Sequence, residues 1–257
     1  MISVIIPVLN EADNVESFLR HLQPFRESGH ELILVDGGST DSTLSLAAPW
    51  VDRVLVSGAG RAQQMNAGAA AAEGNMLLFQ HVDTILPDSA VCTLSSLGAR
   101  SCWGRFDVCL SPGHWMFPVI AGLMNIRSRV TGIATGDQSI FVSRDLFDQV
   151  NGFPLQPLME DIELSVRLKQ KASPVCIKDK VLTSSRRWQN KGVWRTILLM
   201  WRFRLAYLLG IPAETLAASY YPGYELKSGT RVREVFPENL SDINTGDTLC
   251  KVQKEDG

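Results

Sequence analysis

Apolar residues arrive in two alternating rhythms along the first part of the chain. Short unbroken runs, Ser3 to Leu9, Glu31 to Val35, Val54 to Val56 and Met76 to Phe79, have the length and composition of strands buried on both faces. Between them the spacing is helical. Val15, Phe18, Leu19 and Leu22 fall on one face of a helix that starts after Asn10 and is expected to stop near Pro24. A second helix follows the turn Gly37 to Ser42, and an alanine-rich third spans Arg61 to Glu73. Strand and helix alternating with short connections predict an α/β fold, a mostly parallel central sheet with helices on both faces.

The rhythm loosens after Asp83. Helices are expected over Asp88 to Leu97, Asp145 to Val150, Glu160 to Lys171, Val193 to Leu209 and Ala213 to Tyr220. Strands are expected at Trp103 to Leu110, Ile140 to Val142, Val175 to Ile177 and Val181-Leu182. No composition break separates two domains, so residues 1–221 are read as one domain. Residues 222–257, polar and without period, are expected as a mobile tail. Trp194, Leu198, Trp201 and Leu205 make one stripe of the 193–209 helix, expected chiefly to cover the sheet. Its arginines and aromatics would also suit peripheral contact with anionic lipid headgroups.

Composition narrows the class. Hydrophobic residues at 45% and charged ones at 20% are ordinary for a globular chain, and a net charge of −2 argues against a nucleic-acid binder. Five cysteines without a CxxC pair favour reduced thiols and a cytoplasmic protein, at most at the inner face of a membrane. The first residues read as a strand rather than a signal peptide, and no run has membrane-spanning length; Met116 to Met124 is apolar but short.

Candidate chemistry gathers where strands end. Glu11 follows the first, Asp36 the second, Asp83 the fourth, and in an open α/β sheet ligands bind beyond those ends. Asp36 is placed to accept from a base or a ribose hydroxyl. His81 and Asp83, two apart on an extended chain, are expected to share a face, which suits a divalent cation carrying phosphates. Glu160 and Asp161 open an amphipathic helix, where the dipole favours an ionised carboxylate. Ile162 and Val166 are expected to face the core and so turn the two acids to different sides. Gly58-Ala59-Gly60 lacks the third glycine of a dinucleotide fingerprint, and there is no Walker loop and no nucleophile elbow.

Pro7-Val8-Leu9-Asn10-Glu11, Val35-Asp36-Gly37-Gly38-Ser39-Thr40-Asp41, the aspartate after a buried strand and Glu160-Asp161, in that order, resemble a family 2 glycosyltransferase of the GT-A fold. A bacterial subgroup of that family shares Gly-Arg-Ala-x-Gln-Met-Asn (Gly60 to Asn66), Gly-Asp-Gln (Gly136 to Gln138) and a Ser-x-Arg-Arg-Trp-like segment (Ser184 to Trp188). The resemblance implies an inverting transfer from a UDP-, GDP- or dTDP-linked sugar to a saccharide or lipid-phosphate acceptor. Pro7, Glu11, Asp36, Arg61 and Asn66 would bind the nucleotide. Asp83, with His81 where the family has an acid, would hold Mn²⁺ or Mg²⁺. Asp161 would be the base with Glu160 beside it, and Asp137, Gln138, Arg187 and Trp188 would line the sugar or acceptor side. Two other readings fit the architecture. A sugar nucleotidylyltransferase would want a glycine- and arginine-rich loop after the first strand. A non-catalytic nucleotide-sugar-binding module would explain His81 but not the retained acids.

Overall fold

The structure, a computed structural model, describes residues 1–98, 100–186, 189, 192–220 and 232–235. The first half alternates as the hydrophobic rhythm requires. Strands β1 (Ile2–Val8), β2 (Glu31–Asp36), β3 (Arg53–Val56) and β4 (Met76–Phe79) run parallel in the order β3-β2-β1-β4. Helices α1 (Val15–Glu27), α2 (Thr43–Ala47) and α3 (Arg61–Ala71) connect them.

The second half makes the sheet mixed rather than mostly parallel. Strands β5 (Thr84–Ile85), β6 (Trp103–Leu110), β7 (Phe141–Ser143) and β8 (Val175–Thr183) extend it beyond β4 in the order β4-β7-β6-β8-β5. Of these pairings only β6 with β8 is parallel. The two short strands expected after Pro174 are one strand, β8, with a register shift opposite Phe106 and Asp107.

Helices do cover both faces. Val4, Ile6, Leu32, Leu34 and Leu78 meet α1, α2, α4 (Ala90–Ser96) and α5 (Phe117–Thr131). The alternate residues Ile5, Ile33, Val35, Leu77 and Phe79 meet α3, α6 (Arg144–Gln149) and α7 (Glu160–Lys169). Helix α3 lies close because Gly68 has no side chain: a Cβ there would stand 2.4 Å from Ile5 Cγ2. Helix α1 runs through Pro24 to Glu27, since Phe25 is buried and Ser28 N–H still bonds the Pro24 carbonyl. The missing N–H falls in the last turns, where its cost is small.

Three other expectations change. Helix α5 was not foreseen, because both of its faces are apolar. Helix α8 (Val193–Leu208) does not lay its stripe on the sheet: Trp194, Leu198, Trp201 and Leu205 are exposed, while Thr196 and Phe203 are buried. It is followed by α9 (Ala213–Tyr220). Within the stretch expected as a tail, Arg233–Val235 form β9, antiparallel to β3, with Arg53 forked onto Glu234 at 2.7 and 2.9 Å. Apart from Val232, the remainder of 222–257 lies outside the described residues. No helix among the described residues is long and apolar enough to cross a membrane.

Candidate active site

The carboxyl ends of β1 and β2 are tied together by loops that read each other's polar groups. Asn10, at φ 53°, receives Thr40 N–H on its side-chain oxygen at 2.8 Å and donates its own N–H to Ser39 Oγ at 2.8 Å. Glu11 N–H donates to Thr43 Oγ1 at 2.8 Å, which leaves the half-buried Glu11 carboxylate at the rim beside Asn14. Pro7 is buried one residue before the end of β1. Beneath them Gln64 donates to both the Val8 and Val35 carbonyls at 2.8 Å, and Gly37 passes over it without a side chain. This pin was not anticipated, although Gln64 sits inside the Gly60 to Asn66 motif.

Asp36 is placed differently from the expectation. Its carboxylate accepts Gly38 N–H at 2.8 Å, Ser39 N–H at 2.9 Å and the Ser39 hydroxyl, and the residue is 1% exposed. It anchors the turn rather than standing open to a ligand. Asn66 is also taken: its amide donates to the Phe153 carbonyl at 2.8 Å and accepts Phe153 N–H at 2.9 Å. Five positions after Arg61 on α3, it clasps the loop before α7 instead of facing the nucleotide side.

The chain turns after Gln80, so His81 and Asp83 do not share a face. Thr84 N–H closes the turn onto the His81 carbonyl at 3.1 Å. His81 points into a small cavity with Arg61, Gly136, Glu160 and Asp161. Asp83 is exposed and lines a separate groove with Asn14, His21 and Arg186. Burial, then the charge of Arg61, pushes the His81 pKa down to about 4, against the pull of Asp83, so the imidazole is neutral. Gly136 packs so tightly on the ring that a Cβ would stand 2.6 Å from His81 Nε2.

Helix α7 brings both acids inward. Its buried residues are Glu160, Leu164, Ser165 and Leu168, not Ile162 and Val166, so the first turn faces the cavity with both carboxylates. Asp161 accepts Gly136 N–H at 2.8 Å on Oδ2 and Ile162 N–H at 2.8 Å on Oδ1. Its pKa is nevertheless raised, because burial outweighs these bonds and the charges of Arg61 and Arg127. The dipole does not win. Burial, then Asp161, raises Glu160 to about 7. The enclosed volume is about 20 Å³, room for one water.

The Gly136–Gln138 turn divides its roles. Asp137 receives the Thr135 hydroxyl at 2.5 Å and is raised mainly by burial. Gln138 is fully buried and its Oε1 caps the turn by accepting Thr135 N–H at 3.2 Å, while its buried Nε2 has no partner among the described residues. Arg127 was missed. It lies on α5, its pKa lowered chiefly by burial and held up by Asp137 and Asp161. An arginine inside the apolar run Phe117 to Thr131 was the available signal. Arg187 and Trp188 lie outside the described residues.

No group of three or more His, Cys, Asp or Glu side chains is placed to hold a metal among the described residues. Asp83 alone fits a phosphate-borne ion, since Mg²⁺ is commonly held by one or two carboxylates with substrate phosphates and water completing the shell. His81 is in the ligand's neutral form, but the turn aims it elsewhere.

A sequence model described as Glycosyl transferase family 2 matches residues 3–96, the stretch that carries β1 to β4 and Asp83. The match covers little more than a third of the chain. The same stretch is similar to PGL/p-HBAD biosynthesis glycosyltransferases of Mycobacterium bovis (strain BCG / Pasteur 1173P2) and Mycobacterium tuberculosis (strain ATCC 25618 / H37Rv). Each is 39% identical over 93 residues, 34% of this chain and 36% of the relative, so the chain spans little more than a third of the curated relatives it matches.

Solved glycosyltransferases are similar over more of the chain. The mannosyltransferase PcManGT from Pyrobaculum calidifontis, in complex with GDP-Man and Mn²⁺, superposes with TM-score 0.58 and 18% identity over 80% of this chain and 60% of that one. Glucosyl-3-phosphoglycerate synthase from Mycobacterium tuberculosis, with Mn²⁺, UDP and glucosyl-3-phosphoglycerate, gives 0.55 and 20% over 82% and 81%. The fold is therefore GT-A, a mixed α/β sheet flanked by helices.

Proposed function

We propose that the protein is an inverting glycosyltransferase that moves a sugar from a nucleoside-diphosphate sugar to an acceptor hydroxyl. The observation that carries this reading is the convergence of Glu160 and Asp161 with Arg61 and His81 in one cavity beyond β4. The family match supports the class, and the GDP-Man and UDP bound in the neighbouring structures support a UDP- or GDP-linked sugar.

The nucleotide would lie over the loops after β1 and β2, with Pro7 and Glu11 at its border and Arg61 at the diphosphate side. Asp83 would hold Mn²⁺ or Mg²⁺, whose charge would stabilise the departing diphosphate. His81, neutral beside Arg61, would offer a hydrogen bond to phosphate or ribose. The acceptor oxygen would attack the anomeric carbon from the side opposite the diphosphate. As the new C–O bond forms, the old one breaks, its electron pair leaves with the diphosphate, and the proton passes to Asp161. Burial makes Asp161 a stronger base than an ordinary aspartate, which suits general-base work. A single displacement inverts the configuration. The cavity is smaller than a sugar ring, so donor binding has to widen it. Asp137 would border the sugar or acceptor. A lipid-phosphate acceptor would meet this site at a membrane surface.

The test is a panel of UDP-, GDP- and dTDP-sugars with Mn²⁺ or Mg²⁺ and candidate saccharide and lipid-phosphate acceptors. Proton NMR then reads the product's anomeric configuration. Metal-dependent donor turnover with inversion is expected. Pyrophosphate-driven nucleotide exchange, or binding with no turnover, would overturn the reading.

A further inference from the structure

Helices α5 and α8 both show solvent the side that a surface helix normally hides. On α5, Val119, Leu123, Ile126 and Val130 recur at i, i+4, i+7 and i+11 and are 50–80% exposed. On α8, Trp194, Leu198, Trp201 and Leu205 repeat the same spacing at 57–73% exposed. One such stripe is uncommon on a soluble surface; two on helices that pack onto one hydrophobic cluster call for an occupant.

The two helices start from one junction. Ser111 N–H donates to the Thr183 carbonyl at 2.9 Å, Ser185 N–H to Ser111 Oγ at 2.9 Å, and Gln189 Nε2 to Ser185 Oγ at 2.9 Å. Both then pack onto the same hydrophobic cluster, α5 through Phe117 and Ile120, α8 through Val193 and Ile197. The junction also touches the candidate site, because Ser184 N–H donates to the Asp83 carbonyl at 2.8 Å.

Charge chooses the occupant. No Asp or Glu occurs in residues 108–136 or 180–213, the segments that contain these helices. Arg195 and Arg202 are exposed beside the α8 stripe, about 100° around the helix from Trp194 and Trp201. Trp115, just before α5, is 76% exposed. Apolar residues with tryptophan at their level and arginine at their edge are the composition of helices that lie in a bilayer interface. A second copy of the chain fits less well, since an isologous contact would set arginine against arginine with no carboxylate between.

We infer that α5 and α8 form one docking surface for an anionic phospholipid bilayer, placing the Asp83 side of the molecule beside the membrane. The inference does not rest on the transferase reading.

Flotation with vesicles of phosphatidylcholine alone, or mixed with phosphatidylglycerol, tests it on the full chain. Wild type should float with the mixed vesicles, weakly or not at all with neutral ones, and progressively less as salt rises. Leu123→Glu on α5 and Trp201→Glu on α8 should each weaken binding at least about ten-fold, given the cost of a charge on an apolar bilayer-facing stripe, with Tm unchanged. Arg195→Gln should weaken it about five-fold. No binding to mixed vesicles, equal binding to neutral ones, or loss in the α8 variant but not the α5 variant would overturn the two-helix surface. So would a dimer in light scattering that Trp201→Glu dissociates without any vesicle binding by wild type.

Discussion

Gly136 N–H donates to Asp161 Oδ2 at 2.8 Å while the same glycine presses against His81, where a Cβ would stand 2.6 Å from Nε2. One backbone unit thus fixes the acid at the start of α7 and the histidine after β4. A Gly136→Ala change has to move either the ring or the peptide, and moving the peptide releases Asp161. A hydrogen bond to a charged group is worth about 1.5–3 kcal/mol, so transfer should fall roughly ten- to a hundred-fold. Steady-state kinetics with the best donor checks this, and retained kcat with an altered His81 NMR signal would show that the ring gave way instead.

The two carboxylates are separable by charge removal. Asp161→Asn keeps the shape and an acceptor for Gly136 N–H, so donor affinity by calorimetry should stay within a few-fold. Its kcat should fall by about 10²–10⁴-fold, the usual loss of a general base. If Glu160→Gln collapses and Asp161→Asn does not, the base is the other acid.

Glu160 also predicts a pH signature in stability. Its folded pKa of about 7 lies above the ordinary value of 4.5, because burial and Asp161 disfavour the charge. The folded state therefore holds the proton more tightly. The stabilisation linked to it is fully present below 4.5 and is lost as pH rises through 7. Glu160→Gln should gain stability over wild type above pH 7, on the order of 2–3 kcal/mol, and lose that advantage near pH 4. Urea unfolding at both pH values measures it; an equal difference at both would remove the linkage.

Asp83→Ala should lose most of the Mn²⁺-dependent thermal stabilisation by a nucleoside diphosphate, because no other carboxylate among the described residues lines its groove. The metal-free protein's Tm should be nearly unchanged, since among the described residues the side chain's one hydrogen bond is a 3.2 Å bond from Thr84. An undiminished metal effect would move the ion to another ligand.

The first four strands and their helices were legible because buried parallel strands leave unbroken apolar runs. Helix α5 was not, since Val119, Leu123, Ile126 and Val130 add an outer apolar face and erase the amphipathic contrast. Glu11, Asp36 and Asp83 do stand at or just past the carboxyl ends of β1, β2 and β4. Their side chains were harder to read, because a motif does not say whether an amide meets a ligand or a backbone. Asn66 and Gln138 meet backbone. Alternation along β4 misled for His81 and Asp83 because the strand ends at Phe79 and the chain turns.

The strand at Arg233–Val235 carries a consequence for how the molecule can be cut. It occupies the outer edge of β3, and Val235 is buried there against the cluster that α1 and α2 cover. A chain shortened after residue 221 would keep every candidate catalytic residue and leave β3 with an open row of peptide groups. Open edges recruit strands from neighbouring molecules. The short segment far along a polar stretch should therefore guard solubility, remote from the chemistry, and a chain ending at 221 is expected to self-associate where the full chain does not.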